Sequence, residues 1–404
     1  MPPMDASSPP TIDIEALGFD RGAHLLIKHA LACVPVGATL RVLSYAPEFH
    51  AHISAWCRAQ GHTVGCETEG CAHIVRGGYQ VGRWRDAERC GRANPRAPRA
   101  VAEHPRATWG LAARGAMVEA GGPEWGFALD HKQEIWAEEA ADLYRQAVAA
   151  QWNPETAVDW NAPFELPEEI EDAVVQVMTY LIENENAALL VPARFLGRVH
   201  PHFREIMQLL AIQIADEARH VEVFSRRARL KNREPALSTV GGQSSLKALF
   251  DEPDFSVAAF LLSVLGEGTF VNLLNFLHAH APDPVTRQIA RLAARDEAHH
   301  VAFGMGHLLY RLQQEPVLRV RFANAVEIRH DRLAATSGLN EEVFDALVLL
   351  AAGAWSPKAI AVGFERVRML KAEMAEGRRL RLGKLGFEES VAARLSSLHT
   401  RNFM

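Results

Sequence analysis

Asp216-Glu-Ala-Arg-His220 (DEARH) and Asp296-Glu-Ala-His-His300 (DEAHH) share four of their five letters and lie eighty residues apart. A lone Glu-x-x-His carries little meaning in a chain this rich in both residues. Glu327-Ile-Arg-His330 has the same spacing and nothing around it that suggests a role. The fold turns on whether the repeated pentapeptide is an accident of helical composition or two halves of one site.

Residues three apart on an α-helix share a face, so Glu217 with His220, and Glu297 with His300, can each grip one metal ion. A hard or borderline cation such as iron or manganese needs further oxygen donors. The preceding helical stretch offers one in each case: Glu185 in Leu181-Ile-Glu-Asn-Glu-Asn-Ala-Ala-Leu189, and Glu267 in Ser263-Val-Leu-Gly-Glu-Gly-Thr-Phe270. Glu183 stands beside Glu185 as an alternative. Glu185 lies sixteen residues before Pro201 and Glu217 sixteen after it; Glu267 lies fifteen before Pro282 and Glu297 fifteen after. If each proline marks the turn of an antiparallel helical hairpin, equidistant residues end up side by side, roughly 22–24 Å from the turn. The second hairpin repeats the first at separations of 82 (Glu185 to Glu267), 81 (Pro201 to Pro282) and 80 (Glu217 to Glu297).

Two such hairpins predict a four-helix bundle with four Glu and two His in its interior, the ligand set of a carboxylate-bridged dinuclear metal site. Six ionisable groups facing a bundle core are costly without a metal to neutralise them. Asp216 and Asp296, one position round the helix, can each accept the outer ring N–H of a ligand His and fix its tautomer. A solvated face or a helix ion pair is the alternative for both. Arg219 and His299 are expected to play no part in the site.

The rest of the chain frames this site. Its 404 residues, 48% hydrophobic and 23% charged, suit a globular protein of two domains. A net charge of -6 gives no sign of a nucleic-acid partner. The first residues carry no secretory signal, and no run of eighteen residues is continuously apolar, so no membrane partner is expected. All five cysteines (Cys33, Cys57, Cys66, Cys71, Cys90) precede residue 91 at irregular spacing, which fits a reducing cytoplasm. Cys66 and Cys71 have no second pair to complete a zinc site.

Residues 1–78 alternate strand-like Leu40–Ser44 and His62–Val64 with helix-like Arg21–Leu31 and Pro47–Gln60, predicting a small two-layer α+β domain. Residues 79–125 are expected to link the domains, with Arg- and Pro-rich Tyr79–Thr108 an exposed, solvated connector. Residues 126–404 read as a helical domain with a loop at Gly241-Gly242. Its C-terminal helices are expected near Val317–Leu333, Glu341–Ala352 and Ala359–Glu376.

The succession of a Glu helix and DE-x-x-H, then a second Glu helix and a second DE-x-x-H, resembles the ferritin-like di-iron carboxylate superfamily over roughly residues 130–310. The closest members are the bacterial multicomponent monooxygenase hydroxylases and the ribonucleotide reductase small subunits. Leu265-Gly-Glu267, with Phe270 and Asn272, is similar to the third-ligand helix of the hydroxylases. The resemblance implies a mostly α protein: a ferritin-like four-helix bundle with extra C-terminal helices. It implies as metal ligands and catalytic residues Glu185, Glu217, His220, Glu267, Glu297 and His300. It further implies two Fe ions (or Mn/Fe) and O2 as co-substrate. Phe224 stands where the reductase subunits place a radical tyrosine, and Ala293 where the di-iron N-oxygenases carry an additional His. Neither of those activities is therefore favoured.

Residues 1–78 separately resemble the TusA-like sulfur-carrier fold through Ala30-Leu31, Val36-Gly37, Leu40-Arg-Val42, Ala55-Trp-Cys57 and Gly61-His62. The active Cys-Pro of that family would fall near Asp20-Arg21 and is missing, which implies a degenerate domain used for docking or regulation.

The function expected is a di-iron oxygenase or oxidase acting on a small-molecule substrate, with an external electron donor and with homodimerisation left open. Gly266 and Gly268 flank Glu267, leaving room for carboxylate movement or substrate approach, or serving close helix packing. Alternatives are a ferritin-like iron-handling or peroxide-consuming protein, or a docking protein for a sulfur-relay or redox partner.

Overall fold

The computed structural model describes residues 8–79, 81–82, 84–334 and 341–398. Two units are distinguished: Met1–Glu88 with Met117–Gly121, and Arg89–Ala116 with Gly122–Met404.

In the first unit, Leu40 and Val42 point inward and Arg41 outward, the alternation of a strand with one covered face. The elements run β1 (Thr11–Asp13), α1 (Ala23–Ala32), β2 (Thr39–Leu43), α2 (Phe49–Gln60), β3 (Thr63–Thr68) and β4 (Cys71–Val75). The sheet order is β1-β2-β4-β3, with β1 parallel to β2 and the other pairings antiparallel. Ile27 and Leu31 of α1 and Ile53 and Cys57 of α2 pack with Leu40, Val42 and Ile74 in a single core. Burial pushes the Cys57 thiol up to about 12, with Cys66 adding to the shift, so Cys57 is an inert packing residue.

The second unit is helical. After α3 (Ala140–Ala149) and the short α4 (Pro154–Ala157) come α5 (Glu168–Leu196) and α6 (Arg204–Arg229), joined by a turn containing Pro201. Next are α7 (Val240–Phe250) and α8 (Phe255–Ala259). A π-helical segment, Phe260–Glu267, leads directly into α9 (Gly268–His280), and a turn at residues 281–283 leads into α10 (Pro284–Gln314). The chain then continues through α11 (Leu318–Ala334), α12 (Glu341–Ala352), α13 (Pro357–Lys384) and α14 (Glu389–Ser397). α5 packs on α6 and α9 on α10, while α12 and α13 cover α5 and α9 from outside.

The four central helices each cross the same two apolar layers. Val177 and Leu181 of α5, Phe224 of α6, Leu273 and Leu277 of α9, and Ile289 of α10 share one core. Phe195, Leu210, Phe260 and Phe303, from the same helical runs, share another. All four runs change layers at one level, and DEARH and DEAHH lie at that level. Gly304 lets α10 approach the π segment closely there, since a Cβ at this position would lie 2.5 Å from Ser263 Cβ. Phe255–His280 is long and apolar enough to cross a membrane, but 78% of its apolar window is buried inside the protein, as in a core helix.

Three features depart from expectation. Gly241 and Gly242 lie inside α7, where the Thr239 side chain accepts a hydrogen bond from Gly242 N and so starts a helix that the glycines alone would disfavour. The stretch expected to be a solvated connector contains buried Cys90, Ala100 and Val101. Just beyond it, buried Arg114 forks onto the carboxylate of Glu205 at the start of α6 and donates to the His202 carbonyl at 3.1 Å. The positive charge of this region is thus partly consumed within the fold. Thirdly, the four-stranded sheet of the first unit includes β1 and β4 besides the two strands anticipated.

Arg227 ties the two hairpins together at their far end. It is fully buried on α6 and donates two hydrogen bonds to Glu171 of α5, at 2.6 and 2.9 Å. It also donates to Asp283, the residue that caps α10, at 3.0 Å and to Thr286 at 3.0 Å. Arg227→Met strands two buried carboxylates and is expected to cost about 3–5 kcal/mol of stability, measured by urea unfolding.

Candidate metal centre

Glu185 is carried inward by α5, Glu217 and His220 by α6, Glu267 by the end of the π segment, and Glu297 and His300 by α10. All six are at most 4% exposed. One donor atom from each of Glu185, Glu217, His220 and Glu297 lies within 4.8 Å of the others, and the same holds for Glu217, Glu267, Glu297 and His300. The two groups share Glu217 and Glu297, so the structure brings together all six residues anticipated from the sequence. Glu183, two positions from Glu185, is only half-buried and is in neither group. Glu327 and His330 are engaged elsewhere, with Arg394 and Asp331 respectively. The π segment is a local widening of the helix of a kind frequent at functional sites, and here it ends on Glu267.

Both histidines turn the same nitrogen toward the cluster. His220 Nδ1 lies 3.0 Å from Glu217, 3.5 Å from Glu297 and 3.6 Å from Glu185. His300 Nδ1 lies 3.0 Å from Glu217 and 3.4 Å from Glu297. The outer nitrogens face the two aspartates crosswise: His220 Nε2 is 3.2 Å from Asp296, and His300 Nε2 is 3.3 Å from Asp216. Each aspartate therefore serves the histidine of the other hairpin. With the ring proton on Nε2, both Nδ1 lone pairs point at the carboxylates.

Arg219 is also part of this arrangement, contrary to expectation. Its side chain is 10% exposed and one guanidinium nitrogen donates to both Asp216 (2.6 Å) and Asp296 (2.7 Å). Gln151 and Trp152, just past the end of α3, complete the bracket. Gln151 donates to Asp216 at 2.6 Å, Trp152 to Asp296 at 2.7 Å, and Arg219 donates to Gln151 at 2.5 Å while lying over the Trp152 ring. On the opposite side, Gln213 donates to Glu267 Oε1 at 2.9 Å. No spacing in the sequence marks Gln151, Trp152 or Gln213. Arg219, occupying the place of His299 in the repeat, was the one legible clue. Of the flanking glycines, Gly268 serves packing, because a Cβ there would lie 2.5 Å from the Arg381 guanidinium.

The electrostatics mark a cluster short of positive charge. Burial, reinforced by Glu217 and Glu297, raises the pKa of Glu185 well above the usual carboxylate range, and burial with Glu297 does the same to Glu267. Burial also acts against Glu217, but His300 and His220 outweigh it and hold its pKa low. Burial disfavours charge on His220 and His300, yet the surrounding carboxylates overcome it and raise both. For Asp296, burial is outweighed by His220, Arg219 and Trp152, and its pKa falls.

Even so, Glu185 Oε1, Glu217 Oε1, Glu267 Oε2, both Glu297 oxygens and His300 Nδ1 are buried without a hydrogen-bond partner. Orphaned oxygens of this number, with two Nδ1 atoms aimed among them, fit a pair of divalent cations. His104, Asp130 and His131 also converge, with stacked rings, but on an exposed surface.

Loading metal must displace the protons that these raised pKa values retain. Binding is therefore expected to release protons at neutral pH and to weaken as pH falls, observable with a pH indicator during anaerobic Fe(II) titration. Asp296→Asn is expected to weaken metal binding about 10–100-fold with the fold intact by circular dichroism.

No protein-family model matches the chain, and no curated protein matches it. Solved structures do. One variant of an R2-like ligand-binding oxidase with aerobically reconstituted Mn/Fe cofactor aligns at 19% identity and a TM-score of 0.50, covering 62% of this chain and 97% of its own. Another aligns at 18% identity and a TM-score of 0.50, covering 62% and 94%. At such identity the likeness concerns the fold, and the fold it establishes is a ferritin-like helical bundle.

Proposed function

We propose that the chain is a dimetal oxidoreductase that uses O2 to oxidise a small organic substrate at the Glu185–His300 cluster. The observation that carries this reading is the overlap of two four-residue donor groups on Glu217 and Glu297. Glu185 and His220 would hold one ion, Glu267 and His300 the other, and the shared carboxylates would bridge them. The ions, Fe/Fe or Mn/Fe, would supply the electrons and Lewis acidity that dioxygen chemistry needs. The two solved structures of similar fold described above carry Mn/Fe, which is consistent with this donor set.

The protein's own groups have defined tasks. Asp216 and Asp296 keep a proton on each outer histidine nitrogen, and Arg219 offsets their charge. Glu185, Glu267 and Glu297 border a narrow cavity of about 20 Å3, room for little more than one water-sized molecule. Its remaining wall includes Ala187, Leu246, Leu262 and Phe270, an apolar lining that suits dioxygen. Phe224, whose ring lies 6.3 Å from that of His220, offers no phenol to store an oxidising equivalent there, which favours substrate oxidation over a radical-generating role. The remaining elements of the proposal are an external electron donor, a cytoplasmic setting and a docking or regulatory role for the TusA-like first unit.

Iron-loaded protein supplied with a chemical reductant is expected to consume O2 over many turnovers, followed with an oxygen electrode. Glu297→Ala, which removes a shared donor, should abolish it. Uptake that stops once the loaded iron is oxidised would instead mark an iron-handling protein.

A further inference from the structure

Three arginines surround the π segment on a side separate from the metal cluster. Arg378 on α13 is 3% exposed; Nη2 donates to the Ser396 carbonyl at 3.3 Å, and its buried Nε has no partner. Arg329 on α11 donates to Ser245, to O at 3.0 Å and Oγ at 2.7 Å. Arg381 donates to the Val264 carbonyl at 2.6 Å and keeps a buried Nη2 without a partner. Unlike Arg114 and Arg227, none of the three is hydrogen-bonded to a described carboxylate. Burial lowers each to about 10, which leaves all three charged at neutral pH.

Arg329, His330 and Arg378 line a cavity of about 30 Å3 whose other walls include Leu261, Leu265 and Leu382. Arg329 and Leu261 also border an adjoining, more open groove of about 380 Å3, with Val257 and Ile328 on its wall. That volume is in the range of small-molecule pockets. Neither space shares a lining residue with the cavity at the metal cluster. A buried guanidinium needs an anionic or strongly accepting partner, and its fork matches carboxylate or phosphate. The groove also carries Glu252, Arg321 and Asn324, and its apolar strip of Val257, Leu261, Ala325 and Ile328 suits the hydrocarbon body of a monoanion.

We propose that this cavity and groove form a second ligand site, taking an organic carboxylate with its head at Arg378 and Arg329 and its apolar body along Leu261, Val257 and Ile328. Calorimetric titration of the full chain with sodium octanoate, 1-octanol and sodium phosphate tests it. Octanoate is expected to bind saturably at one site per chain, equally in metal-loaded and metal-stripped protein, and more tightly than either comparator. Arg378→Gln and Arg329→Gln should each weaken it roughly tenfold or more. If Arg378→Gln does not fold, Arg329→Gln decides alone. Equal binding of octanol, tighter binding of phosphate, octanoate affinity unchanged in the arginine variants, or octanoate binding only to metal-loaded protein would each overturn the proposal.

Discussion

Placing four glutamates and two histidines in the middle of a helical bundle is the constraint on which the rest of the structure depends. Like charges only a few ångströms apart in a low-dielectric interior are strongly repulsive. Burial and the neighbouring carboxylates push Glu185, Glu267 and both histidines toward their protonated forms, which offsets part of that repulsion but leaves lone pairs without partners. The two apolar layers above and below the cluster hold it at one level. The bracket of Arg219, Asp216, Asp296, Gln151 and Trp152 fixes the rings that face it. Arg227 performs a related task farther along the bundle, where it locks the two hairpins together without bringing any orphaned acceptor into the core.

Much of this was legible because helices have a constant rise. Residues at equal count from a turn arrive at equal height, so Pro201 and Pro282 were enough to align Glu185 with Glu217 and Glu267 with Glu297. Height is less than full geometry, however. That Asp216 serves His300 and Asp296 serves His220 depends on how the hairpins are rotated against each other, and no single-helix spacing encodes that. Arg219 reads as a surface residue because, Asp216 apart, its partners are distant in sequence: Gln151 and Trp152 lie more than sixty residues earlier and Asp296 on the other hairpin. Gly241-Gly242 reads as a breaker until the Thr239 cap is seen, and the Arg-rich stretch around Cys90 reads as solvent-exposed until Arg114 meets Glu205.

The helices outside the central four add chemistry as well as bulk. α3 delivers the groups that close the bracket over the aspartates, and α7 contributes Leu246 and Leu249 to the apolar wall beside Glu185 and Glu267. α11 and α13 carry arginines that the bundle core leaves without carboxylate partners. The π segment connects these features, since Leu262, Gly266 and Glu267 line the cavity at the cluster while Leu261 and Leu265 line the arginine cavity.

The central claim is that one interior cluster, whose two donor groups share Glu217 and Glu297, would hold two metal ions. Anomalous diffraction at the iron edge from crystals of anaerobically loaded protein tests it most directly. The account predicts two peaks roughly 3.5–4 Å apart, flanked by His220 Nδ1 and His300 Nδ1. A single peak in the cluster, or iron only at the exposed His104–Asp130–His131 surface, would contradict it.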